Sequence, residues 1–341
     1  MNIYSFISKA IFSLIIKFII IPFVILLSYF LKIKLDMNRE ILQFLEHHFA
    51  ESKLNRLPEE YGGGRIFSTP LIGVSKGNDP IFKKFKEVVG PKHLTPFEMW
   101  VSDNNKDLID SELRIISIIF PFVEKIRKQA QKPIKISNFL LPAEIYSVGR
   151  NYANAFKEKI CKETMKFLEE KGYSALAPML SNKSTIVVNE KLYSTWSERH
   201  IAFAAGLGTF SLHEGLITEV GCNIRLASVI TNAPLEITIR KSDDPYANCL
   251  YYTEGNCREC IEKCPANAIT ENGHDKIKCY YYGEKIGRRM ILRIGPILKP
   301  HVRRINGKLR APSFPVGCAF CQFGVPCMDK NPVKNKHFLL Q

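Results

Sequence analysis

The first pattern along the chain is one long apolar run near its start. From Ala10 to Leu31 the sequence carries a single charge, at Lys17. A helix that crosses a bilayer needs about 20 mostly apolar residues, so this run has sufficient length. We predict a hydrophobic N-terminal helix within residues 1–36 that anchors the chain in a membrane through residues 10–31. An interfacial or buried helix and a cleaved export signal remain open alternatives.

Shorter apolar repeats divide residues 37–245 into helices and strands. Helical spacing of apolar positions predicts helices at Met37–Phe49, at Ile145–Leu168 with a turn near Gly149, and at Ser197–Ala205. The remaining segments are a long amphipathic run at Leu108–Lys128 and two predicted strands rich in Ile, Val and Thr, Asn223–Thr231 and Leu235–Arg240. This irregular alternation predicts one α+β domain with a mostly antiparallel sheet.

Composition changes this picture in one respect, which is charge. Hydrophobic residues make up 46% of the chain and charged residues 24%, which are ordinary values for a folded protein. The 48 Lys and Arg residues outnumber the 33 Asp and Glu residues, for a net charge of +15. Such a surplus favours an acidic partner, which is an anionic membrane surface, a nucleic acid or an acidic redox protein.

Cysteines supply the strongest chemical signal in the sequence. Eight of the ten lie in the last 93 residues: Cys249, Cys257, Cys260, Cys264, Cys279, Cys318, Cys321 and Cys327. The other two, Cys161 and Cys222, stand alone, and we predict that Cys161 packs in the core. Cys222 is either a core thiol or part of a site. A disulfide framework is typical of small secreted chains, whereas this chain is large and its cysteines have metal-ligand spacing.

The segment from Cys257 to Pro265 has the order C-x2-C-x3-C-P, which is the end of the bacterial ferredoxin sequence pattern. The x2 spacing lets two thiolates bind one cluster, and the x3-Cys-Pro ending directs the next thiolate to a second cluster. A full pattern has another cysteine where this chain has Glu254, and Cys249 is the available substitute. Cys318, Cys321 and Cys327 form a second set with a longer final spacing.

We therefore predict a double [4Fe–4S] ferredoxin-type domain at residues 246–341. The predicted ligands of cluster one are Cys249, Cys257, Cys260 and Cys327. The predicted ligands of cluster two are Cys264, Cys279, Cys318 and Cys321. Zinc is the competing metal, but a four-cysteine zinc site leaves half of these thiols and the Cys-Pro pair unexplained.

A second motif lies upstream of the cysteines. Trp196 to Leu212 reads WSERHIAFAAGLGTFSL, and Gly149 to Tyr152 reads GRNY. Over about residues 60–330, this order of motifs resembles the cobamide-dependent family of reductive dehalogenases and epoxyqueuosine reductases.

The resemblance implies a nitroreductase-like α+β domain at residues 37–245 that binds a corrinoid with its cobalt near one cluster. It implies corrinoid contacts for four residues: Arg199, His200, Gly206 and Gly208. Epoxyqueuosine reductases have a catalytic Asp where this chain has Leu192, and the neighbouring Tyr193 is therefore the predicted proton donor. The glycines would allow the backbone to approach a flat macrocycle.

The function predicted from these features is a membrane-associated, corrinoid-dependent reductase that cleaves a carbon–heteroatom bond. The expected substrate is a halogenated or epoxide-like small molecule or a modified nucleoside, and the expected electron donor is a low-potential ferredoxin or flavodoxin. We expect it at the cytoplasmic face of the membrane, since exposed clusters survive better in a reducing compartment. The alternatives are a non-catalytic electron carrier with two [4Fe–4S] clusters and a zinc-stabilised adaptor that binds anionic membranes.

Overall fold

The computed structural model describes residues 21–103, 108–188 and 191–333. Its helices are α1 (Ile21–Glu51), α2 (Ile81–Val88), α3 (Pro96–Ser102), α4 (Glu124–Ala130), α5 (Glu144–Glu170), α6 (Glu198–Ala204), α7 (Leu250–Glu254), α8 (Glu259–Glu262) and α9 (Lys276–Ile294). Its strands are β1 (Leu71–Lys76), β2 (Arg114–Pro121), β3 (Ile134–Ile136), β4 (Phe139–Leu141), β5 (Ala175–Leu176), β6 (Ile186–Val188), β7 (Leu192–Ser194), β8 (Thr209–Phe210), β9 (Leu216–Ile217), β10 (Ile224–Thr231), β11 (Ile269–Thr270), β12 (Gly273–His274), β13 (Arg304–Ile305) and β14 (Lys308–Leu309). The predicted mixed α+β class is confirmed.

A four-stranded antiparallel sheet with the order β1-β2-β10-β5 forms the centre of the fold. Its middle strand β2 is buried along nearly its whole length, because helices and loops cover both faces. The register places Ile116 opposite Val74 on one side and opposite Val229 on the other. A continuous run of Ile and Phe suits a strand that is buried on both faces. The predicted strand at residues 223–231 is β10, and the prediction of a mostly antiparallel sheet is confirmed.

Two segments differ from the prediction. The run 108–128 was predicted as one amphipathic segment, but it divides into strand β2 and helix α4. The four isoleucines of β2 are fully buried in the sheet, and this tertiary burial outweighs their helical spacing. The segment 235–240 is not a strand. It lies along the edge of β1, where the Thr238 N–H donates to the Val74 carbonyl at 2.9 Å and the Val74 N–H donates to the Thr238 hydroxyl at 3.0 Å.

The helices pack on the sheet through a large aromatic core. The predicted helix at residues 37–49 is the second half of α1, and its Phe49 ring lies 4.9 Å from Phe120 and 5.0 Å from Phe156. Helix α5 runs without a break through Gly149, where a turn was predicted. Gly149 is needed there for close packing, because a Cβ atom would lie 3.2 Å from the Ile126 side chain of α4.

The cysteine-rich region shares this core. Helix α9 contributes Ile286, Met290 and Ile294 to the same buried cluster as α1 and α5. In addition, Ile305 of β13 pairs in parallel with Ile186 of β6. Residues 246–333 therefore pack directly against the preceding part of the chain, and the domain boundary at residue 245 stays a prediction.

The predicted membrane anchor falls only partly on described residues. Residues 10–20 lie outside them, and residues 21–31 begin helix α1. Among the helices that the structure describes, none is long and apolar enough to cross a membrane.

Candidate functional site

The eight clustered cysteines converge from separate short elements. Cys249 precedes α7, Cys260 lies on α8, and Cys279 lies in the first turn of α9. That turn is fixed by Asp275, whose carboxylate accepts the N–H groups of residues 277 and 278 at 3.0 and 2.9 Å. All ten cysteines are free thiols, and Cys161 is fully buried beside Met179, as predicted for a core residue.

The four cysteines assigned to cluster one, hereafter group one, lie close to one another. Burial raises the pKa of the Cys260 thiol to about 12, and the charges of the other three members act in the same direction. The members are Cys249, Cys257, Cys260 and Cys327. Since such electrostatic effects fall off with distance, this grouping indicates one shared neighbourhood.

The four cysteines assigned to cluster two, hereafter group two, form a second neighbourhood. Burial raises the pKa of Cys318 to about 12, and the charges of Cys279 and Cys264 raise it further. Burial also raises the pKa of Cys321 well above its ordinary value, with contributions from Cys318, Cys279, Cys264 and, from group one, Cys260. A cation would release protons from such thiols on binding, so both groups suit a metal centre that binds thiolates.

A cavity of about 650 Å³ adjoins group two. One wall contains all four members of group two together with Cys222. The cavity is also lined by two carboxylates, Glu198 and Glu284, and by several cationic side chains: Arg150, Lys157, Arg199, Arg225, Arg288 and Arg303. The site therefore combines a thiol wall with a strongly basic lining.

Several of these charges are buried without full compensation. Burial lowers the pKa of Lys157 and raises the pKa of Glu198. Burial, with repulsion from Arg150, lowers the pKa of Arg225 to about 10. Among the described residues, the Nε atoms of both arginines and Oε2 of Glu198 have no hydrogen-bond partner. Because an unpaired buried polar atom is costly, this lining suits a polar or anionic ligand.

The predicted corrinoid contacts are only partly brought together. Arg199 lines the cavity, and its guanidinium donates to the Glu214 backbone carbonyl. His200 lines a second cavity of about 630 Å³, which Arg199 also borders, and packs there against Phe85 and Phe210. Burial lowers the pKa of His200 to about 3, so the ring is neutral, and its Nδ1 pairs with the Ser197 hydroxyl at 2.8 Å.

The remaining predicted residues lie against protein rather than along the cavity wall. Tyr193 is the middle residue of β7, and its ring packs on Gly90, whereas the next residue, Ser194, is among the described residues that line the cavity. Gly206 has φ +74° and packs against the backbone of Ile239. Gly208 packs so closely on β9 that a Cβ atom would overlap the Ile217 carbonyl oxygen. The sequence predicted that these glycines approach a macrocycle, whereas their described close contacts are with the chain itself.

Substitution of Gly208 by Ala should destabilise the fold. The added methyl group would force β8 away from β9, and overpacking of this kind costs about 1–3 kcal/mol. Urea unfolding measures the loss. The matched control is Gly283→Ala, which makes the same change inside helix α9 with no atom within 4 Å and should be neutral or slightly stabilising. Equal midpoints for the two variants would contradict the close contact at Gly208.

The start of α6, which carries Glu198, is held by a buried histidine. The Ser197 N–H donates to Nε2 of His93 at 3.1 Å, and His93 is completely buried beside Trp196. Burial lowers the pKa of His93 to about 4, with a further contribution from Lys86. Protonation of Nε2 would break the bond that positions Ser197.

This bond predicts a loss of stability in acid. Below about pH 6.5 the unfolded chain takes up a proton that folded His93 accepts only near pH 4, so the free energy of unfolding should fall between these values by up to ~3 kcal/mol. Urea unfolding at several pH values measures the slope of the unfolding free energy against pH. His93→Gln should make the slope shallower, while the buried His200 continues to contribute to it, and His47→Gln, at an exposed position, should leave it unchanged. Equal slopes for the wild type and His93→Gln would exclude His93 as a cause of the acid destabilisation.

Sequence reasoning missed four residues of this site: Lys157, Glu198 as a cavity residue, His213 and Arg225. One signal was available, since Arg150 and Lys157 are seven residues apart and therefore share a face of α5. Cys222, for which two roles were left open, lines the cavity and lies 3.8 Å from Cys327, sulfur to sulfur. Nothing in the local sequence links residue 222 to residue 327, because a loop contact brings them together.

Comparison with known proteins identifies relatives by sequence. The epoxyqueuosine reductase of Aliivibrio fischeri is 29% identical over 139 residues, which are 40% of this chain and 32% of that protein. The epoxyqueuosine reductase of Vibrio cholerae is 26% identical over 182 residues, which are 52% of this chain and 42% of that protein. The chain thus spans less than half the length of either relative, and no protein-family model matches it.

Solved structures of the same classes of protein are also matched. The epoxyqueuosine reductase of Streptococcus thermophilus gives a TM-score of 0.42 at 16% identity, over 81% of this chain and 66% of that one. A reductive dehalogenase described with a B12-dependent mechanism gives a TM-score of 0.40 at 16% identity, over 62% of this chain and 27% of that one. The relationship itself rests on the sequence matches. These matches identify the chain as a distant relative of the epoxyqueuosine reductases and confirm the resemblance predicted from its motifs.

Proposed function

We propose that this chain is an iron–sulfur reductase in which two [4Fe–4S] clusters pass electrons to a corrinoid bound in the 650 Å³ cavity. The observation that carries the proposal is the composition of that cavity. All four thiols of group two form one wall, and buried charges with unpaired polar atoms form much of the rest. A cluster on this wall would be in direct reach of a ligand in the cavity.

The two neighbourhoods of thiols support the cluster assignment. Each has four cysteines, which is the ligand number of a [4Fe–4S] cluster. The charge of Cys264 acts on Cys318 and Cys321, whereas the charge of Cys257 acts on Cys260, which supports the separation that the Cys-Pro ending of the first motif predicts. The charge of Cys260 also acts on Cys321, so the two clusters would be neighbours.

The polar lining of the cavity supports a corrinoid as its ligand. Arg150, Arg199 and Arg225 are placed to donate hydrogen bonds to the amide and phosphate oxygens of a cobamide. When bound, a reduced corrinoid supplies a cobalt nucleophile that can cleave a carbon–heteroatom bond. Gly317 lies directly against the Arg150 guanidinium, and any larger residue there would displace this donor.

Glu198 is the group best placed to supply a proton. It lines the cavity, whereas the predicted donor Tyr193 is not among the described residues that do so. Burial raises the pKa of Glu198, so its carboxyl group holds a proton at a higher pH than an exposed glutamate would. Lys157 lies close enough to lower that pKa in part, which keeps the proton available for transfer.

The substrate class follows from the relatives. Their name describes reduction of epoxyqueuosine, a modified nucleoside, and this is the first substrate we propose. The net charge of +15 is compatible with an RNA that carries such a nucleoside. The second substrate that we propose is a halogenated aromatic molecule. Either reaction requires a low-potential electron donor such as a ferredoxin or flavodoxin.

The proposal is tested by cofactor loading. The full chain, purified anaerobically, is reconstituted with iron and sulfide, supplied with hydroxocobalamin and assayed for iron, zinc and cobalt together with EPR. About 8 iron atoms and one cobalt per chain, with an EPR signal of base-off cobalt, would support the reductase. Iron without cobalt would leave a non-catalytic electron carrier. Zinc in place of iron would overturn both cluster assignments.

Substrate identity is tested next with the loaded protein and a chemical reductant. An epoxyqueuosine-modified tRNA stem loop and a halogenated phenol are supplied separately, and the products are identified by mass spectrometry. Conversion of the stem loop would assign the reaction of the named relatives, whereas release of halide would assign the dehalogenase reaction. Failure of both with a fully loaded protein would exclude these two substrates.

A further inference from the structure

We propose that His213 and Cys222 are neutral hydrogen-bond donors to Cys327 that raise the reduction potential of cluster one. This inference rests on the proposed cluster at group one. Both residues act through the sulfur of Cys327, so they are positioning residues for electron transfer rather than ligands. Nε2 of His213 lies 3.8 Å from Sγ of Cys327, and Sγ of Cys222 lies at the same distance.

The hydrogen bond at the far side of the His213 ring determines its tautomer. The Gly215 backbone N–H donates to Nδ1 of His213 at 3.2 Å. Nδ1 is therefore an acceptor, and the ring proton of a neutral imidazole must reside on Nε2, the nitrogen that faces Cys327. The ring thus presents an N–H group to the sulfur.

The position of the His213 ring is fixed by a tight hairpin. His213 lies in the loop between β8 and β9, where the Ser211 N–H donates to the Gly215 carbonyl at 2.9 Å. Glu214 has φ +58°, and a Cβ atom on Gly215 would collide with the imidazole ring. The imidazole is buried as well, so it has little freedom to turn away from Cys327.

A backbone contact fixes Cys222 on the same sulfur. The Cys222 N–H donates to the Cys327 carbonyl at 2.8 Å, and the Asn223 N–H donates to the Met328 carbonyl at 3.2 Å. Gly221 permits this approach, because it has φ +83° and a Cβ atom there would overlap the Met328 carbonyl. The thiol of Cys222 is buried and faces Cys327, to which its S–H can donate.

Two such donors change the energetics of a thiolate-bound cluster. Reduction adds negative charge, part of which resides on the ligand sulfurs, and an N–H or S–H dipole directed at a sulfur stabilises that charge. Hydrogen bonds to ligand sulfurs are among the factors that set cluster potentials. Cluster one should therefore be easier to reduce than it would be without these donors. Cluster two has a side-chain donor of its own, because His274 hydrogen-bonds Cys279. No described hydrogen bond joins His213 or Cys222 to a ligand of cluster two, so this cluster serves as an internal reference.

The test is redox titration of the reconstituted full chain, with both clusters followed by EPR. His213→Leu and Cys222→Ala should each lower the potential of cluster one, so that the ratio of reduced to oxidised cluster at a fixed potential falls about tenfold. The potential of cluster two should not move. His213→Gln and Cys222→Ser, which keep a donor at each position, should remain close to wild type.

Hyperfine spectroscopy of the wild-type chain in H₂O and D₂O supplies a measurement that needs no substitution. Exchangeable protons coupled to cluster one are expected, and their absence would overturn the proposal. Unchanged cluster potentials in both donor-free variants, at full iron content, would also overturn the proposal. So would one zinc per chain that is lost in His213→Leu, because His213, Cys222 and Cys327 could instead hold a mononuclear metal. Lack of cluster assembly in the wild-type chain would instead refute the proposed function.

Discussion

Substitution of Cys318 by Ala should remove cluster two and abolish reduction of any substrate. Cys318 is a member of group two and lines the cavity, so its loss breaks both the cluster and the electron path to the cavity. Iron should fall from about 8 to about 4 atoms per reconstituted chain, because each [4Fe–4S] cluster needs its four thiolates. Iron analysis and EPR of the anaerobically reconstituted variant measure the change.

The matched control is Cys161→Ala. Cys161 is a fully buried thiol on α5 that contacts the Met179 sulfur at 3.4 Å and belongs to neither group. This variant should keep full iron content and lose only a modest part of its stability, as expected when a small buried side chain is shortened. Full iron content in Cys318→Ala, or equal iron loss in both variants, would refute the assignment of group two.

Substitution of Glu198 by Gln should lower turnover roughly 10²-fold or more, which is the usual contribution of a general acid. The amide has nearly the same shape but holds no transferable proton. Burial raises the pKa of Glu198. Wild-type turnover should therefore decline as the pH rises through this raised pKa, because the carboxyl group then loses its proton. The Gln variant should lack this limb of the pH profile. The assay uses whichever of the two proposed substrates is converted.

The control for Glu198 is Tyr193→Phe. The sequence predicted a proton donor at Tyr193, but the ring packs on Gly90 away from the described cavity lining. We expect near-normal turnover from this variant. A large loss in Tyr193→Phe with little change in Glu198→Gln would restore the original assignment. Infrared spectroscopy can also detect a protonated carboxyl group that is present in the wild type and absent from Glu198→Gln.

Local patterns in the sequence carry the prediction of the metal chemistry. The C-x2-C-x3-C-P spacing predicts which thiols face the same way, because such spacing is a property of a short chain segment. The membership of group one and group two stays a prediction, and the effects of these thiols on one another's pKa are consistent with it. Helix α6 was likewise predictable, since its apolar positions follow helical spacing over a few residues.

Long-range packing decided what the local patterns misplaced. The isoleucines of β2 have spacing that suits a helix, yet they form the centre of the sheet because β1 and β10 pair on either side of them. Glycines 206 and 208 were predicted to approach a corrinoid, and only the fold shows that they approach Ile239 and Ile217. Sequence spacing alone contains no information on which partner is approached.

The sequence by itself determined the α+β class, the set of thiols and the relationship to epoxyqueuosine reductases, because each depends on residues close together in the chain. Only the tertiary structure decided which groups meet around the thiols. Lys157 comes from α5, Glu198 from α6 and Arg225 from β10, and they share one cavity although α5 and α6 pack in two different hydrophobic clusters, on alternate residues of the central strands. His213 and Cys222 reach Cys327 across more than 100 residues, through a hairpin and a backbone contact that arise only on folding.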